Sequence, residues 1–150
     1  MIAVKPVLKW VFGPLAVLFL AIQFIPVDRS NPPVGTEMPA PPEVRAILQR
    51  SCYDCHSNQT VWPWYSRVAP VSWLVAYDVR KGREELNFSE WGHVSPEEED
   101  YIRFEIVEQI EEGEMPLPVY LRMHPKARPT AEETAILRNW AESPPGGTIP

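Results

Sequence analysis

Cysteine is scarce in this chain: Cys52 and Cys55 are the only two. No third thiol is left for a structural disulfide elsewhere. A four-ligand zinc site would need a second Cys or His pair at short spacing, and His93 and His124 lie too far apart to complete an ordinary finger. No βαβ pattern surrounds the pair, so a thioredoxin-like redox motif lacks its scaffold. Basic charge is also in short supply. From Asp28 onward twelve basic side chains stand against twenty acidic ones, a net charge of −8, which argues against nucleic acid as a partner. There is no internal repeat, and no segment carries a clear strand pattern.

Long hydrophobic runs are limited to one. Trp10 to Val27 is uncharged and apolar, preceded by Lys5 and Lys9 and followed by Asp28-Arg29-Ser30-Asn31. At ~1.5 Å per residue such a run approaches the ~30 Å hydrocarbon thickness if Lys9 snorkels. It reads as a membrane anchor or a signal peptide. Its last residues, Gln23-Phe24-Ile25-Pro26-Val27, lack a small-x-small cleavage site, so residues 1–28 are expected to be an uncleaved transmembrane helix. Positive flanks stay inside, which sends the body to the periplasm, or the extracytoplasmic side, of a bacterial inner membrane in a single pass.

Proline is abundant, at eighteen residues, and points to turns and irregular segments rather than long sheets. Residues 29–41 read as an extended Pro-rich linker and residues 42–150 as one domain.

The cysteines sit in Cys52-Tyr53-Asp54-Cys55-His56, the Cys-x-x-Cys-His attachment signature of a covalent c-type haem. Two thiols one helical turn apart can each add across a haem vinyl group, and the adjoining imidazole then lies beneath the iron. One covalent haem c is the expected cofactor, with His56 as its proximal ligand. In a domain this small, a buried haem would be a large share of the core.

Helix signals surround the motif. Pro42-Glu43 opens a first helix which, if it runs into the motif, lines up Val44, Leu48, Cys52 and Cys55. A second is expected over Pro70–Lys81, closed by Gly82. A third has Ser95 as N-cap, Pro96 at N1, Glu98 at N3 and Gly113 past its end. Its Ile102, Ile106 and Ile110 should face the core, with Glu105, Glu108 and Glu112 outward. A last helix starts at Thr130, with Glu133 at N3, and buries Ile136, Leu137 and Trp140. The aromatic segment Trp62-Pro63-Trp64-Tyr65 is either a wall of the haem pocket or plain core.

The role of the protein turns on the second axial ligand. The candidates are Met115, Met123, His93, His124 or none, and Met38 is set aside because it lies in the linker. A thioether opposite the imidazole raises the potential and closes the iron to other ligands. Met115 is preferred. It follows a helix end in Gly113-Glu114-Met115-Pro116, where proline stiffens the loop that must hold the sulfur.

The blocks Ser51–Asn58, Trp62–Tyr65, Pro70–Leu74, Gly82-Arg83, Leu86–Trp91, Met115-Pro116 and His124-Pro125 occur in an order that resembles the small bacterial haem-binding domain family, over about residues 42 to 141. The resemblance implies a monohaem, mostly α domain that is cytochrome c-like, with Pro-rich loops behind a membrane tether. It also implies thioether links at Cys52 and Cys55, ligation by His56 and, by likeness to class I cytochromes c, Met115 as distal ligand and a crossing of the first and last helices.

The expected function is single-electron transfer between redox partner proteins, without substrate chemistry. Two alternatives are a haem peroxidase or gas sensor with an open or labile distal site, and an accessory haem subunit of a larger redox complex.

Overall fold

A computed structural model describes residues 4–144, with side chains from Trp10 onward. The first three residues of the expected anchor and the tail 145–150 of the expected domain lie outside the described residues. The described chain is mostly helical and contains no β-strand. Its helices are α1 (Val4–Ile22), α2 (Pro42–Ser51), α3 (Tyr53–His56), α4 (Val71–Glu85), α5 (Pro96–Glu111), α6 (Pro118–Met123) and α7 (Ala131–Ala141).

The first helix forms where its signals fall. α2 opens with Pro42 and Glu43 and ends near Arg50, in accord with the helix dipole. It breaks at Cys52 (φ −127°, ψ −33°). The Cys52 N–H still reaches back to the Leu48 carbonyl (2.8 Å), and the Cys52 carbonyl accepts from Cys55 and His56 (3.1 and 2.9 Å). α3 is therefore a kinked continuation of α2 that carries the motif. Val44 and Leu48 are fully buried in the same core as Phe88, Leu137 and Trp140. α2 packs on α7. Arg50 grips Glu133 across that contact with two bonds of 2.7 Å.

α5 and α7 both start with complete capping boxes, Ser95/Glu98 and Thr130/Glu133. Each N-cap is worth about 1 kcal/mol. Past α5, Gly113 takes φ +78°, a left-handed position suited to glycine.

Three expectations are revised and one short helix is new. Gly82 does not end α4; the helix runs on to Glu85. The glycine is there for close approach, since a Cβ at Gly82 would stand 2.6 Å from the Cys55 carbonyl oxygen. Glu105 is half-buried and borders the cavity described below, so it does not stand wholly in solvent. α6 was not foreseen, being only six residues long. Lastly, the Pro-rich linker is strapped to the domain instead of standing free. Gly35 and Met38 donate to Ser89 and Phe88 (3.0 and 2.9 Å), and Trp91 donates to Thr36 (2.7 Å). Met38 is 1% exposed, a core residue. Arg83 fastens the strap to the segment after the motif through Ser30, Asn31, Ser57 and Thr60.

At the N-terminal end, the Gln23 side chain donates to the Ala69 carbonyl (3.2 Å) and accepts from its N–H (2.9 Å). Among the described residues no helix is long and apolar enough to cross a membrane. The spanning helix expected over residues 1–28 is thus not supported by the fold itself.

A buried ion pair also escaped sequence reading. Arg103 pairs with Glu99 in the α5 interior, and its guanidinium lies 4.8 Å from the Trp140 ring. Glu99 accepts from the Trp91 indole (3.3 Å), and Arg103 donates to the Ser143 carbonyl (3.2 Å). Buried charge persists only with such partners.

Candidate haem-binding site

A cavity of about 670 Å³ opens between α3, α4, α5 and the loop leading into α6. That lies within the ~300–1,000 Å³ usual for cofactor sites. Its inner wall carries Cys52, Cys55 and His56, so one helical turn brings both thiols and the imidazole to one side. α4 is drawn close to this turn by Gly82. α5 supplies Ile102, Ile106 and Ile110, the stripe expected to face the core, here serving both core and cavity.

His56 is oriented by its second nitrogen. Nδ1 lies 3.1 Å from the Leu86 carbonyl oxygen. A carbonyl only accepts, so Nδ1 carries the proton and Nε2 keeps a free lone pair, as metal-binding histidines require. Burial lowers the His56 pKa, against smaller upward pulls from the Leu86 and Gly82 carbonyls. The neutral form of the ring is thereby favoured. The Phe88 ring meets it edge-on at 6.3 Å. Phe88 in turn stacks on Tyr53 (5.1 Å) and Trp91 (6.4 Å), so the proximal side rests on a rigid aromatic column.

Both cysteines are free thiols. Burial pushes Cys52 up to about 12, with a smaller push from Cys55. Cys55 is likewise raised to about 12, by burial first and then by Asp54 and Asp78. They are protonated thiols, not thiolates, at neutral pH.

The distal candidates separate cleanly. Met115 lines the cavity. Met123 and His124 line a second cavity of about 400 Å³, next to the first, with Arg50 and Lys126. His93 is exposed in a short 3-10 turn and touches neither. Trp62, Trp64 and Tyr65 are not on the haem-cavity wall either. Trp62 donates to Asn31 (3.1 Å), Trp64 is 72% exposed, and the Tyr65 hydroxyl shares a 2.7 Å hydrogen bond with His124 Nε2.

Sequence reading missed several residues that shape the site. The Leu86 carbonyl carries no side-chain signal at all. Tyr120 reaches the cavity from α6 and donates to Asp54 Oδ2 (2.8 Å); burial, together with that bond, raises its pKa strongly. Asp78, Glu85 and Glu105 line the cavity against a single cation, Lys81, which is engaged by Glu84 at 2.8 Å.

Apolar volume, a neutral imidazole with a free Nε2, two thiols beside it and a thioether on the same cavity define a site that fits haem. A family model described as a haem-binding domain matches residues 17–143, and the chain belongs to that family. The match takes in the strap as well as the helices, in keeping with their hydrogen bonding. No curated protein matches the chain. No solved structure matches it either.

Proposed function

We propose that this protein is a membrane-anchored, extracytoplasmic monohaem c-type cytochrome that passes single electrons between redox partner proteins. The observation that carries the reading is the grouping on one cavity of Cys52, Cys55 and His56 with Met115, while the rival distal ligands lie elsewhere. Cys52 and Cys55 would hold the haem through thioethers, each thiol S–H adding across one vinyl group. His56 Nε2 and the Met115 sulfur would be the axial ligands. Haem so held supplies a one-electron ferric/ferrous couple, and a thioether opposite imidazole favours electron transfer over ligand binding.

The protein's own residues do the rest. Leu86 fixes the imidazole plane, and Ile102, Ile106 and Ile110 exclude water. The cavity carboxylates favour the more positive ferric state. The anchor reading is supported by α1, whose side chains from Trp10 to Leu20 are apolar and exposed.

The test is the absorption spectrum of the detergent-extracted full chain, with Met115→Ala beside it. Reduced c-type bands and a weak far-red ferric band, with the far-red band lost in Met115→Ala and haem retained, support the reading. Ready carbon monoxide binding to the reduced wild type, without the far-red band, overturns the carrier role in favour of a sensor or peroxidase.

A further inference from the structure

The loop that carries Met115 hangs between two helices. On one side the Met115 N–H and the Glu114 N–H both bond the Gln109 carbonyl at the end of α5 (3.0 Å each). On the other, Leu117 leads straight into α6, a helix of six residues that packs chiefly on the 3-10 turn Pro125–Ala127. So short a helix has little stability of its own. Something must hold it in place.

Asp54, between the two cysteines of the motif, is already immobilised. Its Oδ1 accepts from the Val61 N–H (3.0 Å), and its carbonyl accepts from the Thr60 hydroxyl (2.8 Å). That leaves Oδ2 for the Tyr120 hydroxyl at 2.8 Å. The Tyr120 ring is fixed on its face as well, stacked on His124 at 4.3 Å and 5°. His124 is held in turn by Tyr65. The route from motif to distal loop is thus a chain of fixed groups ending at the third residue of α6. Asp54 and Tyr120 also line both cavities, so the pair forms the partition between the haem site and the second cavity.

We infer that Tyr120 is a positioning residue for the distal loop: its bond to Asp54 fastens α6 to the haem-attachment motif and so holds the Met115 sulfur at the iron. The inference rests on the proposed ligation by Met115.

The test uses full-length, haem-loaded protein. Tyr120→Phe keeps the ring and its stacking and removes only the hydroxyl. One hydrogen bond to a charged acceptor corresponds to about a tenfold weaker hold on the loop. The expected result is a weakened far-red band, a lower reduction potential and about tenfold faster carbon monoxide binding, with haem content unchanged. A far-red band and a carbon monoxide rate within about twofold of wild type would overturn it.

Asp54→Asn provides a second route should Tyr120→Phe fail to accumulate, and is expected to loosen the sulfur in the same direction. The double variant should then match Tyr120→Phe rather than sum the two effects; full additivity contradicts the latch. If Met115→Ala leaves the far-red band in place, the ligand assignment falls and the latch with it. If Met115→Ala abolishes the band and Tyr120→Phe does not disturb it, the latch alone falls.

Discussion

Replacing Gly82 with alanine sets two known effects against each other. Inside a helix the change alone stabilises by about 1 kcal/mol, because glycine is the more flexible residue. Gly82, however, lies against the backbone of the haem motif. An added Cβ would stand 2.6 Å from the Cys55 oxygen, 3.0 Å from its carbonyl carbon and 3.1 Å from its Cβ. Ordinary contact begins at 3.4 Å, so α4 and α3 would have to part by about 0.8 Å. The obstructing atoms include helical backbone, which has no rotamer to move. The cost therefore belongs at the upper end of overpacking, about 3 kcal/mol. The net is a loss of about 2 kcal/mol, or roughly 8 °C in Tm for a domain of this size. The movement would also stretch the bond from His56 Nδ1 to Leu86, which follows directly on α4. Urea unfolding of the haem-loaded protein measures the first effect, and the width of the haem bands reports the second. An alanine variant as stable as wild type, or more so, would refute the close-approach role of Gly82.

Other residues give shorter tests. Arg83→Ala removes the four hydrogen bonds that α4 donates through this side chain, two to the strap and two to the segment after the motif, and should cost about 2–3 kcal/mol by urea unfolding. Arg83→Lys should recover less than half of that, since an ammonium cannot reproduce the guanidinium fork. Glu133 has its pKa lowered by Arg50 first and by the Thr130 N–H second. Its contribution is therefore present above the ordinary value of 4.5 and lost as pH falls through the lower folded value. The stability gap between wild type and Glu133→Gln should close over that acid range; a constant gap contradicts the assignment. In haem-free chain, Cys52 and Cys55, both raised to about 12, should react with iodoacetamide at pH 7.5 at least tenfold more slowly folded than in urea.

Much of the helical frame could be read from local chemistry. Ser95/Glu98 and Thr130/Glu133 announce helix starts because capping is decided within four residues. Gly113 announces an end because its left-handed φ disfavours a side chain. The motif pointed to haem for the same reason, since both thiols and the imidazole lie within five residues, and the family match agrees on haem binding. What stayed hidden depends on contacts distant in sequence. Gly82 resembles a helix terminator until Cys55 is seen beside it. The strap looked like a free linker because Pro-rich sequence shows no partner, yet its backbone pairs with Phe88, Ser89 and Trp91. Glu105 was expected to face solvent from its place opposite the isoleucines, but the cavity takes in part of that face. Leu86 and Tyr120 act through a carbonyl and a long-range hydroxyl, for which sequence carries no mark.

The central claim is that Cys52 and Cys55 bind one haem covalently. The most direct measurement is the mass of the full-length protein purified from membranes of cells able to mature c-type haem, taken under denaturing conditions after acid-acetone extraction. The account predicts the chain plus one haem, reduced to the bare chain in Cys52→Ser/Cys55→Ser. A wild-type protein that gives up its haem to the solvent and weighs the bare chain would contradict it.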